Sequence, residues 1–323
     1  MTSQKHFPIA IFIALILLTL TTLVRGQSNP SMTSRGLDND KETLYAQFTD
    51  YRRNPNPEQQ RFAYPAAKEY LRRFGGNDDA ETKEVRRFVV GYERAMRERD
   101  LYAAFDSKNY KKVFELGQPI VKSDPEHFFV LGIMTEAGYE SSLSGSTSLN
   151  SETADYARRA IQLIEADKAS KPDPFKSLEV ARGYLNFVLG TLVKDEKPVE
   201  AAAAFTKAAK SDSLYRTEPA TYVRLGAALL KGEFAQLSAE YNEKFGNKPA
   251  SAEQNAMLQK ITHVVERVID AYARAVALST KPEQKEARDK ILAQLTTIYK
   301  NFHNNSEAGL NELIAGVLSK PLP

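Results

Sequence analysis

Phe128-x-x-Leu131-Gly132 returns as Tyr222-x-x-Leu225-Gly226, and more loosely as Asn186-x-x-Leu189-Gly190. Each copy sits among apolar residues at helical spacing, where an interior Gly costs about 0.5–1 kcal/mol against Ala. Three such glycines at matching positions predict helices that approach closely enough to outweigh that cost. Internal repetition of this kind predicts stacked similar units, each covering the apolar face of the next. The step from Gly190 to Gly226 is 36 residues and that from Gly132 to Gly190 is 58. The longer step places inserted chain in the Ser/Gly-rich stretch 141–151 and in 166–177.

Around these copies nearly everything reads as helix. Ala, Leu, Glu, Lys and Arg dominate the periodic stretches, and long β-branched alternations with hairpin turns are missing. The periodicity predicts helices over 41–52, 57–74, 80–105, 109–122, 126–142, 152–168, 174–194, 197–211, 217–231, 233–245, 251–279, 283–303 and 306–318. Proline and glycine punctuate them at Asn54-Pro55-Asn56-Pro57, Gly75-Gly76, Asp124-Pro125, Pro172-Asp173-Pro174, Gly246-Asn247-Lys248-Pro249 and Lys281-Pro282. Proline lacks an N–H and glycine accepts the left-handed cap, so both end helices. The expected fold class is all-α.

Helical runs of one layout lie between and after these copies: 109–122 closing at Asp124-Pro125, 197–209 after Lys197-Pro198, and Gly232-Glu233-Phe234 through Tyr241, each like the second helix of a hairpin. In this the chain resembles the tetratricopeptide repeat (TPR) family, whose units of roughly 34 residues are antiparallel helix hairpins. The resemblance is clearest over 94–245. Tyr64-x-Ala66-Ala67-x-x-Tyr70 and Val268-x-x-x-Tyr272-x-x-Ala275 look like degenerate second helices at either end. Leu101 stands where the first unit would have Gly, and Thr206 where the third would have an aromatic. The resemblance implies an α-solenoid spanning 41–323, with Val113, Ala157 and Ala202 opposite the glycines and Phe128, Tyr222 and Tyr110 between hairpins. The segment 306–318, apolar at Leu310, Leu313, Ile314, Val317 and Leu318, reads as an amphipathic capping helix.

Little in the chain points to chemistry. It has no Cys, which removes disulfides, thiolate metal sites and Cys nucleophiles. His263-x-x-Glu266 offers half of a metal site, but no H-E-x-x-H motif supplies the rest. Asp38-Asn39-Asp40 lacks the Gly and the twelfth-position Glu of a calcium loop. Ser142-Leu143-Ser144-Gly145-Ser146 is not a nucleophile elbow, and Gly75-Gly76 has no Gly-Lys-Ser/Thr after it. Neither an enzyme nor a cofactor is expected.

The run 7–24 carries no charge, and Val24-Arg25-Gly26 precedes Gln27 in the order of a signal-peptide cleavage site. Residues 1–26 are therefore read as a signal peptide, with an inner-membrane anchor over 7–24 as the alternative, and 27–40 as a flexible linker. Loss of Lys5 and Arg25 lowers the formal charge from +3 to +1, which leaves no footprint for nucleic acid. The Arg52-Arg53, Arg72-Arg73, Arg86-Arg87 and Arg158-Arg159 doublets all lie near acids, as on a salt-bridged face. Export without cysteines fits a bacterial envelope, hence a periplasmic or secreted protein.

In the TPR family, ligands contact the first helix of each hairpin on the concave wall. That implies partner-binding positions at Tyr102, Phe105, Phe129, Ile133, Phe187, Thr191, Val223, Ala227 and Leu230. These are mostly apolar, unlike the Lys and Asn of the carboxylate-clamping subset, and predict a grip on a hydrophobic or helical segment of another envelope protein. Alternatively, the protein's own segment 306–318 fills the wall. Two other function classes stay open: a helical ligand-binding or enzyme-like domain with a closed pocket, and a membrane-anchored structural protein.

Overall fold

A computed structural model describes residues 34–169, 171–246, 249 and 251–323. Among them there is no strand, so the fold is all-α. The predicted signal peptide and residues 27–33 lie outside the described residues. The chain divides into two compact units, one ending at Tyr92 and the other running from Glu93 to Pro323.

The first unit contains α1 (Ser34–Arg53), α2 (Pro57–Gln60), α3 (Ala63–Phe74) and the start of α4 (Ala80–Asp106). Helix α1 packs on α3, with Phe48, Ala67, Tyr70 and Val85 fully buried. It begins at Ser34 and not at Lys41, so 34–40 are helix where a linker is expected. Once a helix is nucleated, each added residue brings a hydrogen bond, so the helix extends beyond its predicted start. The single helix predicted over 57–74 is broken at Arg61 and Phe62. Pro65 accounts for this, because it is tolerated only in a first turn, and α3 restarts two residues before it. Asp79 opens α4 by accepting from the Thr82 N–H at 2.8 Å, and Lys41 Nζ reaches the same carboxylate at 2.9 Å.

The second unit continues with α5 (Tyr110–Ser123), α6 (Phe128–Leu143), α7 (Asn150–Glu165), α8 (Leu178–Val193), α9 (Pro198–Lys210) and α10 (Pro219–Leu229). After these come α11 (Ala235–Phe245), α12 (Ala252–Leu278), α13 (Lys285–Phe302) and α14 (Leu310–Gly316). From α5 to α10 each helix packs on the next, and α6 also reaches α8. Alternate helices are laced by side chains. Gln118 of α5 bonds Glu152 of α7 at 2.8 Å, 34 residues on. Arg158 of α7 grips Glu200 of α9 with two bonds, 42 residues on. Thr191 of α8 accepts from Arg224 of α10 at 2.6 Å, 33 residues on.

The repeated glycines do different work. A Cβ on Gly190 would lie 2.9 Å from the Phe205 ring of α9, so the expected crossing of α8 and α9 is there. The aromatic that fills this approach is Phe205, one place before Thr206. Gly132 faces no helix: a Cβ there would meet Pro174 at 2.8 Å and Phe175 at 3.0 Å, both in the inserted loop before α8. It is at Gly138 that α6 meets α7, against Thr153.

Gly226 approaches Tyr272 of α12, within 2.8 Å of an added Cβ. The helix expected to pair with α10, 233–245, is not folded back on it. A π turn at Leu230–Phe234 joins α10 to α11 without reversal, and Leu230, Phe234 and Ala235 all keep right-handed helical dihedrals. Gly232 marks a close approach and not a turn: a Cβ would stand 2.9 Å from the Val199 nitrogen at the start of α9. Both α10 and α11 pack instead against α12. The segment predicted to cap the chain packs on α12, where Leu310 and Val317 are buried.

Candidate interaction surface

The nine positions that the repeat resemblance implies do not share one environment. Tyr102 is 48% exposed, with its ring 6.4 Å from that of half-buried Phe105. Phe129, Val223 and Leu230 are half-buried and Ala227 is exposed. Ile133, by contrast, is 1% exposed and Phe187 is 6% exposed, so both side chains belong to the core, and neither presents an open apolar wall.

Phe187 is enclosed by its own chain. Tyr215, in the short 3-10 turn before α10, stacks on it at 4.5 Å between ring centres, and Phe205 meets it edge-on at 5.9 Å. The Arg224 guanidinium covers the ring 4.6 Å from its centre while bonding Thr191. Thr191 in turn donates to the Phe187 carbonyl at 2.8 Å. A cation over an aromatic face is held by the ring quadrupole, so this part of the wall presents a guanidinium where an apolar strip is expected.

From Phe187 the rings continue along the unit. Tyr215 lies 6.3 Å from Tyr184, which lies 5.5 Å from Phe175 and 6.3 Å from Tyr139; Phe175 reaches Phe128 at 6.2 Å. Burial, followed by the nearby Glu136 carboxylate, pushes the Tyr184 hydroxyl well above its ordinary range. Tyr215 is raised by burial first and by Tyr139 and Glu136 after it. Both phenols are therefore neutral at physiological pH.

Sequence reasoning missed Tyr184, Tyr215 and Arg224. Tyr184 could have been found, since it sits three residues before Phe187 on the same helical face. Tyr215 could not, because nothing local ties a loop residue to a ring 28 positions earlier.

The histidines are dispersed. His127 is buried, with Nε2 2.8 Å from Glu98 Oε1. His303 stacks on Tyr299 at 4.0 Å. His263 is 67% exposed and 3.9 Å from Glu266. His263, Arg267, Asp270 and His303 line a groove of about 550 Å³ beside α12, open to solvent where the enzyme-like alternative calls for a closed pocket. Among the described residues no group of three His, Asp or Glu could hold a metal ion, and no helix is long and apolar enough to cross a membrane. The run 7–24 is outside those residues. Comparison with protein-family models, curated proteins and solved structures returned no match.

Proposed function

We propose that the second unit is an α-solenoid of tetratricopeptide-like hairpins. It works as a non-enzymatic scaffold, holding a segment of another bacterial envelope protein on the face formed by α6, α8 and α10. The observation that carries this reading is the lacing of alternate helices at separations near one repeat: Gln118 to Glu152, Thr191 to Arg224, and Lys231 to Asp195 at 2.8 Å and 36 residues. Bonds at one-repeat separation are what a stack of hairpins, first helices beside first and second beside second, calls for. Half-buried Phe129 on α6 and Arg224 on α10 support a contact surface here, since aromatic and Arg side chains are the usual anchors of protein contacts.

A photo-crosslinking residue at exposed Ala227 tests this, with exposed Ala203 on α9 as the control. Discrete adducts from native envelopes at Ala227 and none at Ala203 are expected; adducts at both or at neither overturn the assignment of the face. Export is part of the same proposal. Sequencing the protein recovered from envelopes should find Gln27 at its start, whereas an intact Met1 would establish the anchored form.

A further inference from the structure

Residues 320–323, beyond α14, lie against α12. Arg274 of α12 is 5% exposed, and Asp270, one turn earlier, holds its Nε at 2.6 Å. Its Nη2 donates to two successive main-chain carbonyls, Lys320 O at 2.9 Å and Pro321 O at 3.0 Å. Leu322 then packs against a cluster of Ala209, Tyr222 and Ala275. Lys320 has an extended backbone, φ −101° and ψ 149°, as the residue before a proline prefers.

Two features make this contact a site and not merely a covering loop. A buried guanidinium stripped of its acceptors is costly, so this face of α12 requires carbonyls from something. The strand itself is lightly held: Lys320, Pro321 and Pro323 are exposed, and Leu322 alone inserts a side chain. Segments with so few buried contacts open at the low end of a protein's stability range. Pro321 and Pro323 bring no N–H to satisfy, and proline pre-sets the extended conformation, so little ordering entropy is lost on docking.

We propose that Arg274 and the Tyr222–Ala275 cluster form a receptor for an extended, proline-flanked leucine segment. Residues 320–323 are its ligand in cis, exchangeable for a segment of the same chemistry on a partner protein. Recognition is by two backbone carbonyls and one apolar side chain. It goes beyond the α6–α8–α10 face and does not depend on it.

The test is fluorescence anisotropy with a labelled, amidated Ser-Lys-Pro-Leu-Pro peptide and the full chain. Leu322→Asp releases the cis strand, so it should bind the peptide at least ten-fold more tightly than the unaltered protein does. Adding Arg274→Gln to Leu322→Asp should weaken that binding at least ten-fold, and a peptide with Asp in place of Leu should not compete. Equal affinity for the unaltered and Leu322→Asp proteins, binding to neither, or indifference to Arg274→Gln would each overturn the proposal. Should thermal melts show that the Arg274→Gln protein is unfolded, Arg274→Lys replaces it. The ammonium keeps a partner in Asp270 but lacks the planar fork that reaches two carbonyls, and undiminished binding there is equally fatal. Because crosslinking at Ala227 reads a different face, failure of either idea leaves the other standing.

Discussion

Gly190 and the ring of Phe205 face each other so closely that a single added methyl would lie 2.9–3.0 Å from three ring atoms. Phe205 is fully buried and also meets the Phe187 ring edge-on, so it has little room to retreat. Gly190→Ala should therefore destabilise the protein by about 1–3 kcal/mol through overpacking. Gly91, inside α4, has nothing within 4 Å of an added Cβ, and Gly91→Ala should stabilise by about 0.5–1 kcal/mol. Urea melts followed by far-UV circular dichroism compare the two; equal and opposite signs to these would refute the close-packing account.

Arg224 links α10 to α8 through both a ring face and a hydroxyl. Arg224→Ala should cost about 1–2 kcal/mol from the lost cation–π contact and hydrogen bond. Arg224→Lys should recover only part of this, because an ammonium lacks the plane that stacks. Midpoints of thermal unfolding rank the three proteins, and full rescue by Lys would show that charge alone matters.

Phe187 and Ala227 separate folding from binding. Phe187→Asp puts a carboxylate into a closed aromatic cluster, and loss of the ring alone should cost about 3–5 kcal/mol. Ala227→Glu alters an exposed position and should leave the melt within about 0.5 kcal/mol of the parent while reducing partner adducts on the same face. A large loss of stability in Ala227→Glu would contradict its surface position.

In the first unit, Asp79 gives a pH dependence with a definite sign. The Thr82 N–H first, and the Lys41 ammonium second, hold its carboxyl well below the ordinary 3.8. A carboxyl lowered on folding contributes stability above its ordinary pKa, and the contribution disappears as pH falls below that value. Lys41 is raised from 10.5 by the same pairing, so its contribution persists through neutral pH and is lost only at strongly alkaline pH. Urea midpoints measured from pH 7 to pH 2 should fall less steeply in Asp79→Asn than in the parent, and that variant should already be weaker at pH 7. Parallel curves would remove Asp79 from the account.

The sequence alone determined the helices and most of their ends, because helical periodicity, proline breaks and capping residues act within a few positions of one another. It also marked Gly132, Gly190 and Gly226 as places of close approach, though not Gly138, where α6 meets α7. What a glycine approaches was decided only by the tertiary structure: Phe205 for Gly190, the Pro174 loop for Gly132, Tyr272 for Gly226 and the start of α9 for Gly232. A glycine that permits a turn and one that admits a neighbour look alike in sequence, which is why the pattern predicts a hairpin where the π turn lies. The same holds for the wall. The pattern places Phe187 on a helical face, but Tyr215 and Arg224, which close over it, are 28 and 37 residues further along, and no local rule reaches that far.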